Sequence, residues 1–316
     1  MLTPEGQRVT DQAEGLRRLR QPGPVPGPVK VITVTGGKGG VGKTNICANL
    51  AIAMSQLGRR VMLLDADLGL ANVDVLLGLH PEATLANVIS GERPLGDIIL
   101  DGPAGVRVIP GASGLSTMAN LTPAEHAGLI HAFSDLQDDL DVLLVDTAAG
   151  ISQGVLRFCE AAHEVLVVVC DEPTSITDAY ALIKVLSTEH QVSRFRIITN
   201  MTHLGGDGRG LFEKLLRISE RFLQVTLDHA GSVPYDDRVW RAVQLQAPFV
   251  TAFPSSLAAA ALKKLALRAD NWQAPRDARG NIEFFVERLL RTGGGAGGGA
   301  GGAAGDAGPW REQATA

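Results

Sequence analysis

A glycine-rich loop between a strand and a helix limits the fold of this chain more than any other feature. The loop GKGGVGKT, residues 37–44, follows the apolar stretch Val29–Thr35, which predicts a buried strand, and precedes a predicted helix at Asn45–Leu57. Glycines at such a turn let backbone N–H groups surround an anion, and the positive end of the helix dipole favours negative charge there. The pattern therefore predicts a phosphate-binding loop in preference to a chance glycine-rich turn.

Side chains of the loop add a charge and a metal ligand to this backbone cradle. Lys43 can reach the β- and γ-phosphates of a nucleotide, and the Thr44 hydroxyl can hold Mg²⁺. Lys38 is a second lysine that ordinary loops of this type lack; a solvated loop lysine is its alternative role. The predicted nucleotide-binding residues of the loop are Gly37, Lys38, Gly39, Gly40, Val41, Gly42, Lys43, Thr44 and Asn45.

Aspartates follow two further predicted strands and extend the site. The strand Arg60–Leu64 runs into Asp65 and Asp67, and the apolar strand Val142–Val145 runs into Asp146. Ligands of open α/β sheets bind at the carboxyl ends of the strands, and Mg²⁺ prefers carboxylate and water oxygens. The carboxylates and the loop together predict a site for a nucleotide and Mg²⁺; capping of strand-to-helix turns is the alternative role of such aspartates.

The rest of the chain alternates apolar runs with amphipathic segments, which predicts a single α/β domain. Runs rich in Val, Ile and Leu are typical of parallel strands that helices cover on both faces. Further strands are predicted at Val106–Ile109, Val165–Cys170, Phe195–Thr199 and Val225–Leu227. Helices are predicted at Thr122–Leu136, Ser175–Leu186, Leu211–Phe222 and Ser255–Ala269. With 316 residues and 45% hydrophobic content, the chain is long enough for one large core.

The composition argues against several functional classes. The formal net charge of −5 gives no global attraction to nucleic acid, so we expect no direct nucleic-acid contact. The three cysteines lie far apart in apolar segments, which favours buried, reduced thiols of a cytosolic protein, and no two histidines have a spacing typical of transition-metal sites. The sequence shows no secretory leader pattern and no apolar run of about 20 residues, so neither secretion nor membrane spanning is expected.

The loop pattern KGGxGKT with Lys38 resembles the deviant Walker A motif of the MinD/ParA ATPases. The resemblance implies an α/β fold of the P-loop NTPase type (SIMIBI, MinD-like), in which helices flank a mostly parallel sheet on both faces, with ATP and Mg²⁺ as cofactors. It also implies a homodimer in the ATP-bound state. In that dimer Lys38 crosses the interface and neutralises phosphate charge in the other subunit's site.

The same resemblance assigns roles to the aspartates. Asp146 matches the Walker B aspartate of the Mg²⁺ shell, Asp67 matches the residue that orients the attacking water, and Asp65 would support the metal environment from outside the ligand shell. The predicted metal-site residues are therefore Thr44, Asp65 and Asp146, and the predicted catalytic residues are Lys38, Lys43 and Asp67.

The nucleotide base is expected farther along the sheet. The strand that ends at Asn200 and the turn around Pro234 resemble the adenine-contacting elements of MinD-like ATPases. Asn200 would then form a hydrogen bond with the base edge, and backbone near Pro234 would line it. Asparagine at the end of a strand is also a common turn former, which is the alternative role of Asn200.

The N-terminal residues resemble a motif of a narrower family. Residues 1–20 contain a predicted short helix, Asp11–Arg20, and a stiff proline-rich linker follows at 21–28. The pattern DQAxxLR in that helix resembles the activator motif of the flagellar number regulators FlhG and FleN. The resemblance implies stimulation of an FlhF-type GTPase of the signal-recognition-particle class, and contact with flagellar switch (C-ring) proteins or with a flagellar transcription activator. A disordered basic terminus is the alternative.

The C-terminal segment Asn281–Arg291 is amphipathic. MinD-type proteins use such a helix to bind membrane when ATP drives dimerisation, so we expect a cytoplasmic protein that reversibly contacts the inner face of the cell membrane through residues 281–291. A helix packed against the body needs the same apolar stripe, which is the alternative. The Gly/Ala-rich tail at 293–316 is expected to be disordered. The stripe consists of Ile282, Phe285, Val286, Leu289 and Leu290.

We therefore predict an ATP-hydrolysing dimerisation switch that regulates flagellar number and placement, with a MinD-like ATPase domain at 29–280 and an amphipathic helix at 281–292. A MinD/ParA-type positioner of another cargo, such as a division site, chromosome or plasmid, is the second hypothesis, and the helix at Asp11–Arg20 argues against it. A nucleotide-sensing module without hydrolysis is the third, and the combination of Lys43, Asp67 and Asp146 argues against that one.

Overall fold

One mostly parallel sheet forms the centre of the protein. The computed structural model describes residues 28–67, 71–111, 123–136, 139–203, 208–273 and 282–290. The predicted N-terminal helix, the proline-rich linker and the Gly/Ala-rich tail lie outside these described residues, apart from the last residue of the linker. The strands are β1 (Lys30–Thr35), β2 (Val61–Ala66), β3 (Leu100–Asp101), β4 (Arg107–Ile109), β5 (Val142–Thr147), β6 (Glu164–Cys170), β7 (Arg194–Thr202) and β8 (Thr226–Pro234).

The strand order places the glycine-rich loop at the switch point of the sheet. The order is β3-β4-β2-β5-β1-β6-β7-β8, and every pair is parallel except β3 with β4. β1 lies between β5 and β6, where the chain changes the direction in which it adds strands. Ligands of doubly wound sheets bind in the crevice beyond the carboxyl end of the strands at such a point, so the topology puts the loop after β1 where a ligand is expected.

Helices cover both faces of the sheet. They are α1 (Lys43–Ser55), α2 (Val73–Leu77), α3 (Leu85–Ile89), α4 (Leu95–Ile98), α5 (Pro123–Ser134), α6 (Gln153–Ala161), α7 (Pro173–His190), α8 (Arg209–Phe222), α9 (Asp237–Gln244), α10 (Phe249–Ala252), α11 (Leu257–Asp270) and α12 (Ile282–Leu290). α1 and α11 pack on one face, while α5, α6, α7, α8 and α12 pack on the other.

The central strands are buried on both sides, which explains their near-continuous apolar sequences. In β5, Val142 and Leu144 belong to the core under α1, whereas Leu143 and Val145 belong to the opposite core under α5 and α12. Because successive side chains of a strand point to opposite faces, two apolar layers require an unbroken apolar run. The predicted α/β class with helices on both faces is confirmed.

Helix α12 packs against the body of the protein. It contacts α5 and α6, and its five apolar stripe residues are at most 5% exposed. Ser134 of α5 also donates a hydrogen bond to the carboxylate of Glu283. Among the described residues, no helix is long and apolar enough to cross a membrane. The structure thus shows the alternative to the expected membrane contact, because lipid reaches this stripe only if α12 leaves α5 and α6.

Candidate nucleotide-binding site

The glycine-rich loop is held in place by close backbone packing. Gly42 has a left-handed backbone, with φ of 90°, and a Cβ there would lie 2.4 Å from the Asn200 amide nitrogen. A Cβ at Gly37 would lie 2.2 Å from the backbone of Asp178 in α7. α1 then begins with no acidic residue in its first turn, so its free N–H groups face the loop without a competing carboxylate. This arrangement favours an anion at the start of α1.

Lys43 supplies a buried positive charge to the loop. Its ammonium group donates a hydrogen bond to the carbonyl oxygen of Lys38 at 3.4 Å. Burial lowers the pKa of Lys43, while the nearby carboxylates of Asp146 and Asp67 act in the opposite direction. A partly desolvated ammonium group next to free backbone N–H groups is complementary to a phosphate chain. The surroundings of Lys43 suit an anion, and its predicted contact with phosphates stays a prediction.

Asp146 has an unsatisfied carboxylate oxygen at the end of β5. The residue is 1% exposed, and its Oδ1 has no hydrogen-bond partner among the described residues. Burial raises the pKa of Asp146 to about 8, although a hydrogen bond from the Thr44 side chain lowers it. A buried polar atom without a partner needs an explanation.

The pair of Thr44 and Asp146 fits Mg²⁺. This ion takes oxygen ligands and is usually held by one or two carboxylates together with the phosphates of a nucleotide and water. A positive ion next to Asp146 would also favour the ionised carboxylate that burial disfavours. The described residues contain no group of three or more His, Cys, Asp or Glu side chains that could hold a metal ion alone. Thr44 and Asp146 could hold Mg²⁺ together with the phosphates of a nucleotide.

Asp65 anchors the loop that carries Asp67. It lies beside Asp146 on the neighbouring strand β2. Its Oδ1 accepts the Asp67 N–H at 3.0 Å, and its Oδ2 accepts the Asn72 and Val73 N–H groups at 3.1 Å each. Burial raises the pKa of Asp65 to about 6 in spite of these bonds. Its carboxylate therefore binds backbone, and its predicted support of the metal environment stays a prediction.

Lys38 contacts its own chain. Its ammonium group lies 2.5 Å from the Glu172 carboxylate and 3.0 Å from the Thr174 hydroxyl, at the start of α7. The hydrogen bond to Glu172 raises the pKa of Lys38. Lys38 is therefore half of a surface ion pair, and its side chain remains partly exposed to solvent. This contact does not decide between the interface role and the solvated loop lysine of the alternative. The predicted place of Lys38 across a dimer interface stays a prediction.

A cavity of about 260 Å³ lies next to the loop. Asn200 and Pro234 both line it. Their predicted contact with a nucleotide base stays a prediction. Asn200 is buried, and its amide nitrogen donates a hydrogen bond to the Val41 carbonyl oxygen at 2.9 Å. Gly40 and Gly42 of the glycine-rich loop also line the cavity, so it adjoins the loop. It is lined by Gly40, Gly42, Asn45, Ile46, Asn200, Met201, Val233, Pro234, Tyr235, Asp236, Val239, Trp240, Val243 and Phe249.

Sequence reasoning missed two parts of this site. The first is Glu172, which follows β6 at the same edge of the sheet as the loop; its position after an apolar strand was the available signal. The second is α9, whose Asp236 caps the helix by accepting the Arg238 N–H and whose Val239 and Ala242 face the core. An aspartate followed by apolar residues at helical spacing is the sequence signal for such a helix.

Comparison with known protein families identifies the class. Residues 32–249 match the model of the CobQ/CobB/MinD/ParA nucleotide binding domain. The chain therefore belongs to the MinD/ParA family of nucleotide-binding domains. The structure of the septum site-determining protein MinD from Pyrococcus horikoshii, complexed with Mg-ADP, aligns with a TM-score of 0.61 at 25% identity, over 77% of this chain and 96% of that one.

Relatives within this family narrow the assignment. The antiactivator FleN of Pseudomonas aeruginosa is 60% identical over 264 residues, which cover 84% of this chain and 94% of that protein. The flagellum site-determining protein YlxH of Helicobacter pylori is 31% identical over 272 residues, 84% of this chain and 91% of that protein. The chain is thus a homologue of FleN, and the predicted membership is confirmed.

Proposed function

We propose that this protein is an ATP-hydrolysing dimerisation switch that regulates flagellar number and placement. The observation that carries the proposal is the 60% identity of this chain to the antiactivator FleN. The glycine-rich loop with Lys43 and the buried Asp146 at the end of β5 support it. The similarity of this chain to the flagellum site-determining protein YlxH also supports a role in flagellar placement. A positioner of another cargo, as in the septum-site protein MinD of Bacillus subtilis at 29% identity, is the alternative.

Each residue of the site has a defined part in the proposed hydrolysis. Lys43 and the N–H groups of the loop bind the phosphates, and Thr44 and Asp146 would hold the metal. A bound Mg²⁺ supplies neutralisation of phosphate charge. Asp67 orients the attacking water, and Lys38 of the other subunit stabilises the charge that develops on the transferred group.

Complementation tests the proposed function. The gene would be introduced into Pseudomonas aeruginosa that lacks its own FleN, and flagella would be counted by electron microscopy. We expect the wild type and the control Lys264→Ala, an exposed lysine of α11, to restore the normal flagellar number, and Lys43→Ala not to restore it. Failure of the wild type at normal protein levels would favour a positioner of another cargo. Restoration by Lys43→Ala would show that the nucleotide site is not the switch.

Asn200 supports adenine as the base. A carbonyl oxygen only accepts hydrogen bonds, so the Asn200 atom next to the Val41 oxygen is the amide nitrogen. The Asn200 Oδ1 is left to accept from the ligand, and the 6-amino group of adenine is a donor, whereas guanine and hypoxanthine carry an acceptor at that position. We expect calorimetry to give tighter binding for ADP than for both GDP and IDP, by about 5-fold to 140-fold. Equal affinities would exclude this role of Asn200.

The N-terminal segment supports an FlhF-type partner. Residues 11–20 lie outside the described residues, so the DQAxxLR pattern alone carries this part of the proposal. A synthetic peptide of the segment should raise GTP hydrolysis by the partner, and substitution of Gln12 and Leu16 should remove the effect. A peptide without effect on a partner shown to bind GTP would remove FlhF from the proposal and favour the positioner alternative. Contact with switch proteins or a transcription activator rests on the same family resemblance.

The proposed location is the cytoplasm, with membrane contact restricted to a state in which α12 is released. Liposome flotation with ATP and Mg²⁺ would detect that state. Because the stripe of α12 is buried in the structure, the protein without nucleotide should stay with the soluble fraction. Flotation that needs ATP would support release of α12; no flotation with ATP would leave α12 as a core helix only.

A further inference from the structure

Helix α9 places an exposed tryptophan at the edge of the base cavity. Asp236 fixes the start of the helix, and its other carboxylate oxygen accepts the Ala258 N–H at the start of α11 at 3.4 Å. Val239 and Ala242 pack toward the core, whereas Trp240 is 65% exposed and lines the cavity. The helix is therefore anchored at its start and on one side, while its largest side chain stands at the opening.

Trp240 belongs to a cluster of apolar side chains that surround this opening. The exposed fractions are 36% for Met201, 56% for Tyr235, 65% for Trp240 and 39% for Val243, and all four residues line the cavity. Large apolar groups that are exposed together mark a binding site. Two of the four are aromatic, and aromatic side chains can stack on other flat π-systems, such as a nucleotide base.

The neighbouring groups decide which ligand fits the cluster. Backbone of the glycine-rich loop, which could bind phosphates, lines the cavity through Gly40 and Gly42, and Asn200 lines it as well. A purine nucleotide carries phosphates, a polar edge and two flat faces in one molecule. The cavity offers a partner to the phosphates and to the edge. Three aromatic side chains line it, and Trp240 is the largest and most exposed of them, whereas Phe249 is buried.

We propose that Trp240 stacks on the base of the bound nucleotide and closes the cavity over it. The proposal rests on the proposed nucleotide site and assigns the source of its affinity for the base. Stacking of a base on an aromatic side chain contributes about 1–3 kcal/mol, and each 1.4 kcal/mol changes affinity tenfold. Loss of Trp240 should therefore weaken ADP binding by about 5-fold to 140-fold.

The test compares ADP with tripolyphosphate, which has no base, by titration calorimetry on the full chain. We expect Trp240→Ala to weaken ADP binding by the stated factor and to leave tripolyphosphate binding unchanged, while Trp240→Phe keeps most of the affinity. Trp272→Phe is the matched control, because Trp272 does not line the cavity. The Arg196 guanidinium carbon lies over the Trp272 ring, 4.9 Å from the ring centroid. Addition of ADP should change tryptophan fluorescence in the Trp272→Phe variant and not in Trp240→Phe.

The outcomes separate this inference from the proposed function. If folded Trp240→Ala binds ADP within about twofold of the wild type, stacking is refuted, and the apolar cluster is better explained as a contact surface for another protein. If both ligands weaken equally, Trp240 supports the loop rather than the base, which also refutes stacking. If the wild type binds neither ADP nor tripolyphosphate, the proposed nucleotide site itself fails.

Discussion

The substitution Asp146→Asn should have opposite effects on stability and on function. Asp146 is completely buried, and its Oδ1 has no partner among the described residues. Burial raises the pKa of this carboxyl group to about 8. Without a metal ion, the folded protein therefore carries an unfavourable charge at high pH, and an asparagine cannot acquire that charge.

The size of the effect follows from the two pKa values. A carboxyl group whose folded pKa is raised binds its proton more tightly in the folded than in the unfolded state, so stability falls as pH rises from about 4 to about 8. Each pH unit in this window costs about 1.4 kcal/mol, which gives an upper limit of about 4 kcal/mol at pH 7. The asparagine amide adds a cost of about 1–3 kcal/mol if its nitrogen lacks a partner, but that cost does not vary with pH.

Urea denaturation in the presence of EDTA measures the predicted dependence. The measurement is made at about pH 5, 6.5 and 8. The free energy of unfolding of Asp146→Asn minus that of the wild type should rise by at least about 2 kcal/mol from the lowest to the highest pH. A difference that stays constant over this range would show that Asp146 ionises normally, and the burial argument would be wrong.

Asp141→Asn is the matched control, because its carboxylate is stabilised in the folded state. It accepts hydrogen bonds from the side chain and the backbone N–H of Arg60 at 2.7 and 2.8 Å, and the bond from the side chain lowers the pKa of Asp141. The stability from such a group is present above the unfolded pKa near 4 and is lost as pH falls through the lower folded pKa. Asp141→Asn should thus destabilise by up to about 1 kcal/mol, evenly between pH 5 and 8.

Mg²⁺ and ADP together should make the wild type more stable than Asp146→Asn, which is the reverse of the order expected in EDTA. A ligand that binds only the folded state stabilises it in proportion to the logarithm of its concentration over Kd. The wild type should gain stability from ADP that depends on Mg²⁺, and Asp146→Asn should gain only the part that ADP provides in EDTA. An equal Mg²⁺-dependent gain in both proteins would remove Asp146 from the metal site.

Three further substitutions address other parts of the structure. Phe285→Ala should lower the free energy of unfolding by about 3–5 kcal/mol because it empties a buried position of α12. The control Phe284→Ala, at a half-buried position, should lower it clearly less. Equal losses in urea denaturation would contradict the packing of α12. Asp67→Ala should bind ATP in calorimetry yet release little phosphate, and normal turnover would exclude Asp67 from water activation. Glu172→Gln weakens the hold on Lys38 and should increase the ATP-dependent dimer in sedimentation; an unchanged or smaller dimer fraction would mean that Glu172 does not compete with the interface.

The parts of the fold that the sequence predicts well are those that packing makes unambiguous. β1, β5 and β6 are buried on both faces. A near-continuous apolar run is the sequence pattern expected of any parallel strand that helices cover on both sides. The loop at 37–44 and the aspartates after β2 and β5 then share one edge of the sheet because parallel strands all end there. The amino-acid sequence alone therefore predicts that Thr44, Lys43 and Asp146 lie together.

The strand β8 was predicted too short because tertiary context overrides its sequence. It runs to Pro234, past the predicted end at Leu227, through polar residues and Gly231, which has a φ of 157°. Its pairing with β7 contains two register shifts. An edge strand pairs with a neighbour on one side only and tolerates irregular pairing. Neither periodicity nor propensity therefore marks the length of β8.

The amphipathic stripe of α12 could not be interpreted from sequence alone. A helix that enters a lipid interface and one that packs on a protein need the same spacing of apolar residues. What distinguishes them is the presence of a complementary apolar surface, here made by α5 and α6 from distant parts of the chain. The pairing of Lys38 with Glu172 is hidden for the same reason, since the two residues are 134 positions apart.

The two lysines of the loop stand in opposite electrostatic situations, and this would separate the proposed nucleotide binding from the proposed dimerisation. Burial disfavours the charge of Lys43, so an anion in the loop improves its surroundings. Lys38 already has a carboxylate partner in its own chain, which raises its pKa, so it gives up that contact before it can serve another subunit. We therefore expect the nucleotide to bind to one subunit without loss of an existing contact, and the second step, dimerisation, to depend on how strongly Glu172 holds Lys38.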